Sequence, residues 1–138
     1  MIIADTGFWV ALANRRDRYH ELAKEKLSEL DEPLVSTWPV VTETCYLLLD
    51  RLGSESQRNF LLSMVEGAFD VFELDRSQVP HVVTLMEKYA DLPMDLADAS
   101  SVVLAEHLGH GRILSTDQRD YAAYRWKQRE PFQNLLFS

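Results

Sequence analysis

Short apolar runs alternate along the chain with longer stretches whose apolar residues recur at helical spacing, and this alternation predicts parallel strands joined by helical crossovers. Met1 to Ala4 reads as a first strand leading into a turn and a short helix over Thr6–Leu12. Tyr19, Leu22, Ala23, Leu27 and Leu30 mark a second helix, which Asp31-Glu32-Pro33 stops. Leu34–Thr37 reads as a second strand. Pro39 suits a first helical position, and the helix Val40–Leu52 runs to Gly53. Ser54 with Gln57 makes a capping-box signature for a further helix to about Val65, closed by Gly67. Val71–Leu74 reads as a third strand, followed by a helix to about Tyr89. Asp95 is the expected N-cap of a helix that runs through Val102, Val103, Leu104 and Leu108 to Gly109. Arg112–Thr116 is the fourth strand, and Asp117 opens a short helix toward Arg125. Leu135-Leu136-Phe137 reads as a final short strand, so the sheet has four or five strands.

This pattern places four acidic residues where strands hand over to helices or within a helix's opening turns. Asp5 ends the first strand, Asp117 ends the fourth, Glu43 lies about one turn into the helix after Pro39, and Asp98 lies in the first turn of the helix after Pro93. In an open parallel sheet the carboxyl ends of the strands share one edge with the starts of the helices, so the four can converge. Any one of them alone reads equally as a helix cap or a partner of the helix dipole. Glu43 and Asp98, however, sit among residues that should face a core, with few basic residues nearby in sequence. Ionised carboxylates placed there should be paired, protonated or metal-bound. Convergent carboxylates without histidine or cysteine suit a hard cation held by oxygen.

Composition narrows the picture further. The 138 residues fit one domain, 1–138, and at 46% hydrophobic the chain is globular. The formal charge of -8 argues against tight, charge-driven nucleic-acid binding, yet bound divalent cations would invert the local field without excluding catalysis on such substrates. Cys45 is the single cysteine, reads as a small buried hydrophobe, and fits a reducing cytoplasm. No stretch approaches a membrane span and no targeting signal is read.

Taken with Ile2-Ile3-Ala4-Asp5-Thr6-Gly7, Glu43, Met94-Asp95-Leu96-Ala97-Asp98-Ala99 and Leu114-Ser115-Thr116-Asp117, the chain resembles the PIN domain, the fold shared by many VapC-type toxin ribonucleases of prokaryotic toxin–antitoxin systems. The resemblance covers nearly the whole length. It implies a three-layer α/β/α sandwich around the parallel sheet, and a cytoplasmic endoribonuclease that uses Mg2+ or Mn2+. Asp5, Glu43, Asp98 and Asp117 would hold the metal. It also implies a homodimer and a small antitoxin protein that covers the site. Products of such a reaction would be a 5′-phosphate and a 3′-hydroxyl.

Thr6, Ser115 and Thr116 lie beside the acidic residues, where their hydroxyls orient water or satisfy turn backbone; Thr116 is the first candidate for a catalytic role. Asp95 reads as a cap, and Asp120 as solvated or supporting. Phosphate contacts would come from Arg15, Arg16 and Arg18, from Arg119, or from Arg125, Lys127 and Arg129 around Trp126. Trp9 should pack in the core, while Trp126 suits an interface or RNA. His107 and His110 straddle Gly109 and make no zinc set, no adjacent acidic pair of the receiver type follows the first strand, and neither a glycine-rich phosphate loop nor a serine nucleophile motif is present. Two further readings remain: a non-catalytic PIN-like binding module, and a structure-specific DNA nuclease of the same superfamily.

Overall fold

The computed structural model describes residues 1–138. In chain order the elements are β1 (Ile2–Ala4), α1 (Thr6–Ala13), α2 (His20–Glu29), β2 (Leu34–Thr37), α3 (Trp38–Leu52), α4 (Ser54–Val65), β3 (Asp70–Phe72), α5 (Val79–Lys88), α6 (Leu96–Leu108), β4 (Arg112–Leu114), α7 (Gln118–Ala123), β5 (Arg125–Trp126), β6 (Glu130–Pro131) and β7 (Gln133–Asn134). Five strands pair in parallel in the order β3-β2-β1-β4-β7. Ile3 aligns with Val35 on one side and Ile113 on the other.

Side chains alternate across the pleat, so β1 feeds both faces of the sheet. Ile2 and Ala4 join Phe8, Trp9, Val40, Leu48, Phe60 and Phe69 beneath α1, α3 and α4. Ile3 joins Val35, Val82, Leu85, Val102, Ile113, Tyr121 and Tyr124 beneath α5 and α6. The result is the three-layer α/β/α arrangement that the resemblance implies. After β1 the chain builds outward through β2 and β3, then returns to add β4 on the other side of β1. A crevice therefore opens at the carboxyl ends of β1 and β4, where the two directions of winding diverge.

Several local expectations are corrected. The Ser54/Gln57 capping box does not form: α3 and α4 share Gly53 as their only junction residue, its φ is 105°, and no side chain caps α4. Ser54 already lies within the first turn. The third strand is Asp70–Phe72 rather than Val71–Leu74, and the fourth is Arg112–Leu114, because Ser115 and Asp117 turn away from the sheet through their own hydrogen bond (Asp117 N to Ser115 Oγ, 3.0 Å). The last strand is Gln133–Asn134, and Leu135–Phe137 forms a one-turn 3-10 helix that buries Leu136. Asn134 causes the turn: its amide spans Ser115 on both backbone groups, and its Oδ1 also accepts from Leu136 N.

The β5–β6 hairpin was not predicted, since its turn places Lys127 and Gln128 at positive φ where glycine or asparagine would be the usual signal. Tertiary contacts impose it: Lys127 N donates to Glu106 Oε2 at 2.7 Å, and Trp126 packs over Gly111. Trp9 is in the core, as expected, with its indole N–H donating to Ser36 Oγ at 2.9 Å. Cys45 is half-buried against the core rather than enclosed by it.

Candidate active site

Because β1 and β4 are adjacent, Asp5 and the segment Ser115–Asp117 leave the sheet side by side. The Ser115 hydroxyl donates to Asp5 Oδ2 at 2.9 Å and locks the two turns together. Asp5 occupies the N-cap position of α1, yet its side chain makes no capping hydrogen bond. Asp117 does cap α7, accepting from Asp120 N at 3.0 Å through Oδ1.

Glu43 and Asp98 arrive on helices that start at the same edge. Thr37 Oγ1 accepts from Val40 N at the start of α3, and Pro39 occupies the first turn. Asp95 caps α6, its Oδ1 accepting from Asp98 N at 2.9 Å, so Asp98 is freed from capping. A buried 2.6 Å hydrogen bond between the Thr37 and Ser100 hydroxyls ties the two helix starts together. Asp5, Glu43, Asp98, Asp117 and Thr116 all line one cleft of about 500 Å³, together with Thr6, Asp95 and Asp120.

Bringing so many carboxyl groups together raises their hold on protons. Burial, followed by repulsion from Glu43 and Asp117, pushes the Asp5 carboxyl up to about 7, against hydrogen bonds from Thr6 N and Ser115 Oγ. Burial is also the main cause for Asp98, which is pushed up to about 8, with the Asp5 and Asp95 charges adding to it. The Tyr124 hydroxyl opposes that rise by donating to Asp98 Oδ2 at 2.9 Å. Glu43 is raised by burial and by the charge of Asp95, and Asp117 is raised by burial and by Asp120.

The residues present fit a hard divalent cation. The donor set is all oxygen, and Thr6 Oγ1 is buried without a hydrogen-bond partner while lying near enough to Glu43 to favour its charged form. Among the basic residues nearby, Arg119 pairs with Asp120 and not with the four predicted ligands. No three carboxyl groups are drawn together tightly enough to form a closed coordination group. That openness suits an ion of the magnesium type, which takes one or two carboxylates and completes its shell with water and substrate phosphate.

The family model for the PIN domain matches residues 2–127. The chain belongs to the PIN domain family. This PIN domain is similar to Ribonuclease VapC26 of Mycobacterium tuberculosis, with 27% identity over 124 residues that span 90% of this chain and 92% of that protein. Among solved structures it is similar to Mycobacterium tuberculosis VapC20, described as a sarcin-ricin loop cleaving toxin, with a TM-score of 0.82 and 21% identity over 89% of this chain and 95% of that one. At that identity the likeness establishes the PIN fold.

Of the ambiguous positions, Asp95 is a cap and also lines the cleft, while Asp120 is buried rather than solvated and accepts from Arg119 Nε at 3.2 Å. Arg119 is thereby committed to Asp120 and to the Leu92 carbonyl, and Arg125 to carbonyls of its own turn. The roles of two residues near the site escaped sequence reasoning. Tyr124 is one, because its partner Asp98 lies 26 positions away and nothing local signals the contact. Gly7 is the other: a Cβ there would stand 1.9 Å from Thr116 Oγ1, so glycine makes the space that Thr116 occupies.

Proposed function

We propose that this PIN domain, acting as one unit over residues 1–138, is a metal-dependent endoribonuclease and the toxin of a VapBC-type toxin–antitoxin pair. The observation that carries the reading is the convergence of Asp5, Glu43, Asp98 and Asp117 in one cleft with the proton affinity of all four raised. Similarity to a ribonuclease over nine-tenths of both chains supports RNA as the substrate.

Asp5, Glu43, Asp98 and Asp117 would supply the ligands of Mg2+ or Mn2+, one or two of them directly and the others through bound water. Such an ion, when bound, supplies charge stabilisation for the phosphate and a water of lowered pKa. The protein's own groups prepare the site for it. Ser115 fixes the Asp5 carboxyl, and Tyr124 fixes one oxygen of Asp98. Thr116, held against Gly7, is positioned to orient the attacking water. Hydrolysis would break the P–O3′ bond, leaving a 5′-phosphate and a 3′-hydroxyl.

Two surfaces support the protein partners. An apolar groove lined by Trp9, Leu12, Leu27 and Phe60 between α1, α2 and α4 suits an antitoxin helix, and exposed Trp38, Tyr46 and Leu49 on α3 with Leu96 on α6 suit a homodimer contact. No helix is long and apolar enough to cross a membrane, and the free Cys45 suits the reducing cytoplasm. Incubation with total cellular RNA, with and without magnesium, tests the activity; magnesium-independent degradation, or none, would refute it. Expression alone should slow growth, and Asp98→Asn should remove the defect; an active enzyme that leaves growth untouched would refute the toxin assignment.

A further inference from the structure

Arg51, near the end of α3, lines two neighbouring cavities: the acidic cleft and an adjoining groove of about 350 Å³ that also carries Arg15 and Arg16. Arg18 stands with Arg51 in the cleft itself. None of these four arginines forms an ion pair, although the chain carries 22 acidic residues and several line the same cleft. Guanidinium groups placed to neutralise those carboxylates would be paired with them. These are left for an anion from outside.

The segment that carries three of them is fixed in place. Asn14 Oδ1 accepts from Arg16 N at 3.0 Å, Asp17 Oδ1 accepts from Tyr19 N at 2.8 Å, and His20 Nδ1 bonds the Ala11 carbonyl at 2.7 Å. Asp17, the nearest carboxylate in this loop, is thereby occupied with backbone. The Arg18 guanidinium lies over the Tyr19 ring, 5.1 Å from its centre, and Tyr19 in turn meets Phe137 edge-on. Arginines on an ordered loop lose less freedom on binding, and their planar forks match phosphate oxygens.

We propose that Arg15, Arg16, Arg18 and Arg51 form a phosphate track that leads a single-stranded RNA into the acidic cleft from the α1–α2 side. The inference rests on the ribonuclease reading. It accounts for how a chain of charge -8 engages a polyanion: attraction is concentrated in one groove beside the cleft rather than spread over the surface.

The test is the salt dependence of binding. In the Asp98→Asn background, which prevents cleavage, the affinity for a fluorescent single-stranded RNA is measured by anisotropy across a salt series. The triple change Arg15→Gln, Arg16→Gln, Arg51→Gln is compared with Arg58→Gln, Arg76→Gln, Lys88→Gln, which removes equal charge from exposed basic residues outside both cavities. Each phosphate contact contributes about 0.7 to the slope of log affinity on log salt for a single strand, so the first triple variant should lower the slope's magnitude by about 2 and weaken binding at least about tenfold. The control triple variant should keep the slope. An unchanged slope in the track variant, or an equal loss in the control, would overturn the track while leaving the nuclease reading intact. Absence of both RNA binding and RNA cleavage would overturn the two together.

Discussion

Replacing Asp5 by asparagine should stabilise the metal-free protein near neutral pH, an unusual outcome for a change at a 6% exposed residue. Its carboxyl is raised from 3.8 to about 7 on folding, mainly by burial. The folded state therefore binds that proton more tightly than the unfolded state, and the stability it contributes is full below about pH 4 and lost as pH climbs to about 7. From about pH 5 to about pH 7 the loss is about 2.3 kcal/mol, since the slope of about 1.4 kcal/mol per pH unit flattens as the folded-state group titrates. For a chain of this length that corresponds to a fall in melting temperature of about 8 °C. Asp98, raised to about 8 by burial, acts in the same direction and carries the decline further. Glu32 and Asp75 are lowered instead, by Arg112 and Ser77, and titrate below this window, while His110, lowered mainly by burial, acts in the opposite direction within it and equally in both proteins. Asparagine keeps the shape of Asp5 and can still bond Ser115, so the variant should lose the pH-dependent cost and little else. Thermal unfolding followed by circular dichroism in EDTA, across this pH range, measures the two curves. Parallel curves, with the variant lower throughout by a cap-sized ~1 kcal/mol, would show that Asp5 is a structural residue and that the reasoning is wrong.

The remaining expectations follow from the same cleft. Asp98→Asn should abolish RNA cleavage with the fold intact, whereas Asp95→Asn should retain much more activity because asparagine caps α6 equally well; comparable losses would make Asp95 a ligand in its own right. Millimolar magnesium or manganese should stabilise the wild type by about 1–3 kcal/mol at ten- to a hundredfold excess over its dissociation constant, and stabilise Asp98→Asn or Asp117→Asn much less; unmoved wild-type melting would speak against the metal site. Gly7→Ala should force Thr116 out of place, so Gly7→Ala, Thr116→Val and the double variant should lose similar amounts of activity in a turnover assay, and additive losses would separate the two residues.

The site was legible in the sequence to the extent that it depends on where strands end. Asp5 and Asp117 follow apolar runs, Glu43 lies in the helix that Pro39 opens and Asp98 in the helix that Asp95 caps, and the rule for parallel sheets brings those positions to one edge. The two layers of core were legible for the same reason. What escaped depends on tertiary contact. Tyr124 meets Asp98 only because the segment that follows α7 packs against α6, and the β5–β6 turn is held in a conformation its residues do not favour by Glu106 and Gly111. The capping box at Ser54 failed because the local signal assumed a free loop residue, and the junction between α3 and α4 has Gly53 alone. Asn134 turned a predicted strand into a helical turn by spending its side chain on Ser115.

The edges of the sheet carry a consequence for assembly. One border is β3, three residues long with Asp70 exposed, and the other is β7, only two residues long and turned inward after Asn134. Borders so short present too few unpaired amides and carbonyls to template another strand. Any protein that associates with this domain must therefore dock side chains on its helices rather than extend its backbone ladder, and crowding many copies together gives them no continuous ribbon along which to polymerise.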